Sequence, residues 1–181
     1  MIERVLARYK FNHVVLQSDY TRWDTDPGIW IDISVPKPQI AEYVRTARQN
    51  QLEPIPLVMS LGHMEWMFKN NRNLDLAEDP ETPYAYSVTN PRTYQFIHSV
   101  YDEAVSLFGP RWFHIGHDEV TMRGRYPHRD VAKEWGTEKL FLYDTNRQYD
   151  WLKARGIGTM MWGDVLLSRA DSPDHAAHAD S

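Results

Sequence analysis

The segment NPRTYQFIHSVYDEAVSLFGPRWFHIGHDEV, residues 90–120, contains a complete helix followed by a strand. Asn90 and Pro91 are typical of the N-cap and first turn of a helix, and Gly109, with a proline after it, is typical of a helix end. Between these limits the apolar residues recur every three or four positions, which predicts a helix with one buried face. The run WFHIGH that follows is apolar and aromatic, and it predicts a buried strand.

Two adjacent carboxylates, Asp118 and Glu119, stand directly after the predicted strand, with His114 and His117 beside them. Burying so much potential charge costs free energy, which points to a function that needs it. Because neighbouring residues at a strand end point in different directions, these two acids cannot easily form the opposed pair of an ordinary glycosidase. They can still divide the work, one donating a proton while the other orients the substrate.

The same cluster of histidines and acids could also be read as a metal site. Alternate positions of a strand face opposite sides of the sheet, however, and no further ligand has a suitable spacing. We therefore expect no metal site and no cofactor.

Strand and helix signals alternate along the rest of the chain. Apolar runs at residues 11–17, 54–61 and 158–167 predict three more strands. Amphipathic patterns predict helices at 38–50 and 137–155, and a short helix opens the chain. Continuous apolar strands separated by helices indicate an α/β protein with a parallel sheet.

Two folds share this alternation, the doubly wound sheet and the barrel. No glycine-rich phosphate loop follows any of the strands, and the polar residues collect at the strands' C-terminal ends, which favours a (β/α)8 TIM barrel. A complete barrel takes about 250 residues. With 181 residues and about four strands, the chain is expected to form a partial barrel. We assign residues 1–168 to this domain and expect the aperiodic tail, residues 169–181, to be disordered.

The segment between the second predicted strand and the next helix, residues 62–88, is long and irregular. Connections in compact domains are usually much shorter, and long ones carry function or are disordered. This loop is therefore a second place to look for functional residues.

Composition excludes several classes of protein. The 20 basic and 25 acidic residues give a formal charge of −5 without a basic block, so we expect neither nucleic acid nor an anionic membrane as a partner. The absence of cysteine excludes disulfides and thiolate ligands. Without a bilayer-length apolar run or a signal peptide, we expect a soluble chain and favour a cytoplasmic location. The 7 Trp, 10 Tyr and 8 His fit a sugar-binding cleft, although a large aromatic core explains the same counts.

The segment FHIGHDEV, residues 113–120, resembles the His-x-Gly-Gly-Asp-Glu-Val signature of family 20 glycoside hydrolases, the β-N-acetylhexosaminidases. Residues 52–69, LEPIPLVMSLGHMEWMFK, resemble the strand and loop that end in a Gly-His pair in this family, in the form of its hexosaminidase D branch. The helix at 90–109 and the segment MMWGDVLL at 160–167 resemble the elements on either side of the signature. The likeness covers roughly residues 11–167.

This resemblance implies hydrolysis of terminal β-linked N-acetylhexosamine by substrate-assisted, retaining catalysis. The acetamido oxygen of the sugar acts as the nucleophile, which makes the family an exception to the two-carboxylate scheme. Asp118 would orient the acetamido group and stabilise the charge that develops on its nitrogen. Glu119 would protonate the glycosidic oxygen and then deprotonate water. Glycans ending in N-acetylglucosamine or N-acetylgalactosamine are the implied partners.

The resemblance also implies supporting residues around the two acids. Trp162 would form an apolar wall of the acetamide pocket, and Asp164 follows it at the strand end. His63 and His114 would hold the acidic loop by hydrogen bonds. Without the signature, His114 on a buried strand is better explained as a core histidine with a satisfied ring than as a functional residue.

Three further residues are candidates to line the cleft. Glu65 and Trp66 stand just beyond the Gly-His pair, and Asp19 follows the first strand at the same end of the sheet. Either tryptophan, Trp66 or Trp162, could instead be an ordinary core aromatic.

The chain departs from the family pattern at several positions. His117 replaces the second glycine of the signature, and we expect it to alter the shape of the pocket or the pH optimum. Leu61 replaces the proline of the usual Pro-Gly-His, and Leu57 and Met59 stand where many members carry acids. The family's first strand and later strands lack counterparts here. The alternative function is therefore a truncated barrel that binds amino sugars without turnover or forms oligomers through its exposed sheet edges.

Overall fold

The computed structural model describes residues 2–121 and 126–166, and its sheet follows the order of the chain. Four parallel strands lie side by side in the order β1-β2-β3-β4. Since a doubly wound sheet reverses its strand order and a barrel wall does not, this confirms the expected partial (β/α)8 TIM barrel. The strands are β1 (His13–Gln17), β2 (Glu53–Ser60), β3 (Trp112–Gly116) and β4 (Gly158–Met160).

The helices lie between the strands as crossovers. They are α1 (Lys37–Gln49), α2 (Pro91–Phe108), the short α3 (Asp130–Trp135) and α4 (Thr137–Lys153). The three long ones agree with the sequence prediction to within two residues, whereas α3 has too few residues to show a periodic pattern. The predicted N-terminal helix is a single π-helical turn, Ile2–Leu6, with no buried residue.

Helix α2 begins and ends where its capping residues predict. The Asn90 side chain accepts a hydrogen bond from the backbone N–H of Arg92, and Pro91 occupies the first turn. Gly109 is left-handed, with φ 50°, and its N–H bonds the carbonyl of Val105. Both ends therefore satisfy backbone groups that a helix terminus leaves unpaired.

The fourth strand is much shorter than its apolar sequence predicts. The prediction placed it over 158–167, but pairing with β3 covers only three residues, and Asp164–Leu166 form a 3-10 turn. The strand could not have paired as far as residue 167 in any case, because β3 ends at Gly116, where the backbone turns left-handed with φ 76°. Beyond that point β4 has no extended partner on this side.

The two faces of the sheet have different surroundings. Phe113 and Ile115 of β3 are fully buried on the helix side, where the Phe113 ring lies 4.5 Å from that of Tyr101 in α2. On the opposite face, Leu57 and Met59 of β2 line a cavity. That face corresponds to the inside of a barrel.

The long loop at 62–88 is ordered. It contains 3-10 turns at Met64–Trp66, Lys69–Asn71 and Leu74–Leu76, and Ala77 pairs with Tyr86 in an isolated antiparallel bridge. Its apolar residues join the main core.

The outer strands have pairing partners on one side only within the described ranges, β1 with β2 and β4 with β3. The side chain of Val15 on β1 is 41% exposed. No helix in these ranges combines the length and the apolar character needed to cross a bilayer. The domain limit expected at residue 168 and the tail expected at 169–181 lie outside the described residues.

The α2 cap gives a first prediction. Asn90→Ala removes the acceptor for the Arg92 N–H, and we expect it to lower the free energy of unfolding by about 1 kcal/mol. Asn90→Asp, which caps equally well, is the matched control. Urea denaturation of the three proteins measures the difference, and equal midpoints would show that the cap contributes nothing.

Candidate active site

The C-terminal ends of the four strands meet at one edge of the sheet. Parallel strands necessarily bring the residues that follow them together, which is why barrel sites lie at this edge. The residues found there are Asp19 after β1, His63 after β2, Asp118 and Glu119 after β3, and Trp162 and Asp164 after β4.

The chain leaves β3 through an unusual backbone turn. Gly116, His117 and Glu119 are all left-handed, with φ of 76°, 71° and 50°. For a residue other than glycine this conformation costs roughly 1–2 kcal/mol, and it persists only where surrounding contacts impose it. We call residues 116–119 the acidic turn.

The acidic turn brings its two carboxylates to one imidazole. Nε2 of His63 lies 3.0 Å from Oε2 of Glu119, to which it is hydrogen-bonded, and 3.6 Å from Oδ2 of Asp118. All three side chains are partly exposed. Residues adjacent in sequence therefore present their acids on the same side, which an extended strand end would not allow.

The two carboxyl groups have different surroundings. Burial raises the pKa of Asp118, and the negative charges of Asp164 and Glu119 raise it further, while His63 opposes the rise. The Glu119 backbone is held by Asp164, whose Oδ2 accepts a hydrogen bond from the Glu119 N–H at 3.3 Å.

Tyr84, in the long loop, is a site residue that sequence reasoning missed. Its hydroxyl donates a hydrogen bond to the Glu119 carbonyl at 3.0 Å, and its ring meets that of His63 edge to face at 5.1 Å. The Tyr84 carbonyl in turn accepts from the N–H of Met64 at 2.8 Å, which closes the loop against the site. The only available signal was the unusual length of the loop.

Trp162 and His114 lie together beside the acidic turn. Their ring centroids are 4.5 Å apart, and Trp162 is 45% exposed. The backbone N–H of Trp162 donates to the carbonyl of Gly116 at 2.9 Å, and the backbone N–H of Gly116 donates to Nδ1 of His114 at 3.1 Å. His114 thus bonds the start of the turn rather than either acid, and burial lowers its pKa.

Two adjacent cavities open at this edge. One of about 350 Å³ is lined by six of the residues that the sequence singled out, and a neighbouring one of about 200 Å³ contains Glu119 and Asp164. Gln17 and Tyr20 also line the larger cavity and were not predicted. The six predicted residues are Asp19, His63, Glu65, Trp66, Asp118 and Trp162.

Trp66 belongs mainly to the core. It is only 2% exposed, and its ring lies 6.3 Å from that of Phe96 on α2. The interpretation of Trp66 as a core aromatic therefore accounts for most of its surface. Glu65, the residue before it, is partly buried.

Asp19 is buried at the base of the larger cavity. Its Oδ1 accepts a hydrogen bond from the Met59 N–H at 2.7 Å, and its Oδ2 accepts from the Gln17 amide at 2.8 Å. Burial raises the pKa of Asp19 to about 6, although both hydrogen bonds and the nearby His63 lower it.

His117 lies away from both cavities, so any effect on the shape of the pocket or the pH optimum stays a prediction. Its side chain is fully buried and lines neither cavity. Nδ1 lies 2.8 Å from the hydroxyl of Ser60, and Nε2 lies 2.8 Å from Oδ2 of Asp144 on α4. The left-handed backbone at 117 turns the ring towards the helix layer, away from the acids.

Among the described residues, no group of three or more histidines and acids is arranged to hold a metal ion. The chemistry available around the acidic turn is that of its two carboxyl groups, the His63 imidazole and the exposed indole of Trp162. Such a set can transfer a proton and stabilise a developing positive charge.

Comparison with known proteins identifies related catalytic domains. The glycosyl hydrolase family 20 catalytic domain matches residues 37–179. Hexosaminidase D of Bos taurus is 30% identical over 137 residues, which are 71% of this chain and 39% of the bovine protein. Human hexosaminidase D is 28% identical over the same share of this chain and 28% of its own length. The chain thus spans well under half the length of these relatives.

Solved structures share the fold. A chitobiase of Flavobacterium johnsoniae superposes with a TM-score of 0.74 at 20% identity, covering 92% of this chain and 29% of that one. An N-acetyl-β-hexosaminidase of Streptomyces plicatus gives a TM-score of 0.70 at 22% identity, covering 91% and 35%. At these identities the likeness bears on the fold alone.

The close approach of Gly62, at the start of the long loop, to the acidic turn gives a second prediction. A Cβ added to Gly62 would lie 2.7 Å from the Asp118 carbonyl oxygen and 3.3 Å from Cα of Val120, so backbone would have to move. We expect Gly62→Ala to lower the free energy of unfolding by about 1–3 kcal/mol. Gly163→Ala, with no atom within 4 Å, is the control. Equal stability of both variants in urea would contradict the contact.

The buried Asp19 gives a prediction about pH. Between about pH 4 and 6 the folded protein keeps a proton on Asp19 that the unfolded chain releases, because the pKa is about 6 when folded and 3.8 otherwise. Raising the pH through this window therefore lowers the free energy of unfolding, by about 2–3 kcal/mol for this group. Well below pH 3.8 the carboxyl is protonated in both states and contributes no slope.

Asp19→Asn should remove this part of the pH dependence, since its amide does not titrate. Urea denaturation of parent and variant at pH 4, 5, 6 and 7 measures the difference. Asp150→Asn, at an exposed position of α4, controls for the loss of one charge. Parallel curves for the parent and Asp19→Asn would refute the raised pKa.

Proposed function

Because this chain belongs to glycosyl hydrolase family 20, we propose that it contributes the catalytic acids of a β-N-acetylhexosaminidase, which removes terminal β-linked N-acetylhexosamine from glycans. The observation that carries the proposal is the convergence of Asp118 and Glu119 on His63 at the mouth of a cavity. The chain spans 39% of the bovine relative, so the activity belongs to the proposal.

Substrate-assisted catalysis explains why adjacent acids suffice. When the sugar's own acetamido oxygen attacks the anomeric carbon, the protein needs no opposed nucleophile. It needs a proton donor for the leaving oxygen and a negative group near the acetamido nitrogen. Two acids on the same side of one turn meet both needs.

Glu119 takes the part of the proton donor. Its carboxyl group is hydrogen-bonded to His63, and the same side chain is about one-third exposed, so a glycosidic oxygen can reach it. Its backbone is fixed on both sides, by Tyr84 at the carbonyl and by Asp164 at the N–H. A donor fixed in this way loses little entropy on reaching the transition state.

Asp118 takes the part of the group that orients and stabilises the acetamido nitrogen. It lines both cavities together with Trp162. A carboxylate beside an exposed indole can hold the N–H of an acetamido group while its methyl packs on the ring. The proposed ligands are accordingly glycans that end in N-acetylglucosamine or N-acetylgalactosamine.

The open sheet edges favour a second candidate function, the binding of amino sugars without turnover. In the described ranges β1 and β4 each pair on one side only, so the barrel interior is incomplete there. The site would then retain its acetamide recognition but lack groups from the remaining wall. Expectations about nucleic acid, cellular location and homo-oligomers stay predictions.

The decisive test is release of 4-nitrophenol from its N-acetyl-β-glucosaminide and N-acetyl-β-galactosaminide. Glu119→Gln removes the proton donor at nearly constant shape, and we expect it to lower kcat about 10²- to 10⁴-fold. Asp150→Asn is the matched control and should keep the parent rate. Equal rates for Glu119→Gln and the parent would exclude the assigned role.

The same proteins separate the two candidate functions. Saturable binding of N-acetylglucosamine, followed by NMR, with no nitrophenol release from the folded parent would favour the binding function. Neither binding nor release would contradict both.

A further inference from the structure

A buried polar cluster lies behind the acidic turn, on the side away from the cavities. At its centre is Asp144 of α4, whose side chain is fully buried. Its carboxylate accepts hydrogen bonds from the hydroxyl of Tyr86 at 2.9 Å and from that of Tyr94 at 2.8 Å, and Oδ2 lies 2.8 Å from Nε2 of His117. The cluster thus joins α4, the long loop, α2 and the acidic turn.

A contribution to fold stability does not by itself explain this buried cluster. Taking a carboxylate out of water costs several kcal/mol, and a well-packed apolar group in its place is often neutral or stabilising. What a buried polar group supplies is direction, because its hydrogen bonds accept only one arrangement of their partners.

The backbone of His117 has a conformation that needs support from its surroundings. A φ of 71° is strained for histidine and would be relaxed for glycine. The strain is offset by contacts at both ring nitrogens, Nε2 with Asp144 and Nδ1 with the Ser60 hydroxyl at the end of β2. That hydroxyl donates in turn to the carbonyl of Ile115 at 2.7 Å, on the strand that leads into the turn.

The acidic turn is therefore held from two sides. On the cavity side, His63 and Tyr84 contact Glu119. On the helix side, His117 is the residue directly before Asp118, and its ring is hydrogen-bonded to Ser60 through Nδ1 and lies 2.8 Å from Asp144 through Nε2. Moving the ring of His117 would therefore rotate the peptide group that links His117 to Asp118.

We propose that His117 and Asp144 form a positioning pair that sets the orientation of Asp118 and Glu119 without touching the substrate. The inference rests on the proposed function for its kinetic consequence, but not for its structural one. It makes α4 and the long loop part of the apparatus that aligns the acids.

The test uses His117→Gly and Asp144→Asn. Glycine relaxes the strained backbone and removes the anchor, whereas asparagine keeps the shape of the aspartate and removes its charge. His98→Gln is the matched control, since His98 bonds Gln148 at the far side of the cluster and does not contact the turn. His117→Asn, which tolerates a left-handed backbone but is too short to keep both contacts, serves if either variant fails to fold.

The first measurement does not depend on turnover. The side-chain NMR signals of His63 report its contact with Glu119, and we expect them to change in His117→Gly and Asp144→Asn but not in His98→Gln. Unchanged His63 signals in folded His117→Gly would overturn the proposal and reduce the pair to a stabilising contact.

The second measurement is the split between kcat and KM on the nitrophenyl substrates. Misaligned acids should lower kcat about 10- to 100-fold, with a smaller change in KM. The double variant should lose less than twofold beyond the worse single one, because the two residues act through each other. Additive losses would overturn the pairing. An inactive parent whose His63 signals still respond would count against the proposed function alone.

Discussion

The left-handed turn at the end of β3 is the constraint on which the rest of this structure depends. Because Gly116 ends β3, the apolar segment at 158–167 has no strand to pair with along its C-terminal part. The same turn rotates Glu119 so that it shares His63 with Asp118. It also comes so close to the start of the long loop that only glycine fits at position 62. Acid geometry and loop packing thus have one cause.

Strain of this kind needs support from outside the turn. A short segment with two non-glycine residues at positive φ would relax in isolation, since each such residue costs roughly 1–2 kcal/mol. Support comes from hydrogen bonds to the long loop in front and from the buried Asp144 cluster behind. The long loop and the buried carboxylate of α4 therefore both support the backbone that carries the two acids.

Much of the fold and part of the site could be predicted from the sequence. The limits of α2 follow from Asn90 and Gly109, because capping involves only groups within a few residues of the helix end. The parallel sheet follows from the alternation of apolar runs and amphipathic segments. Parallel strands then bring Asp19, His63 and the two acids to one edge whatever their spacing in the chain. Tyr84 and Asp144 were missed, since a tyrosine in a loop or an aspartate in a helix carries no local mark of its partner.

The sequence by itself determined the elements, their order and the residue types delivered to the active edge. These depend on side-chain pattern, capping and strand direction, all of which act over short stretches of chain. Only the tertiary structure decided where β4 ends, which way His117 points and how two neighbouring acids come to face one imidazole. Those outcomes depend on contacts between distant residues, such as His117 with Asp144, 27 positions away, and His63 with Glu119, 56 positions away. No local pattern encodes such contacts, because they form only when the strands and helices pack together.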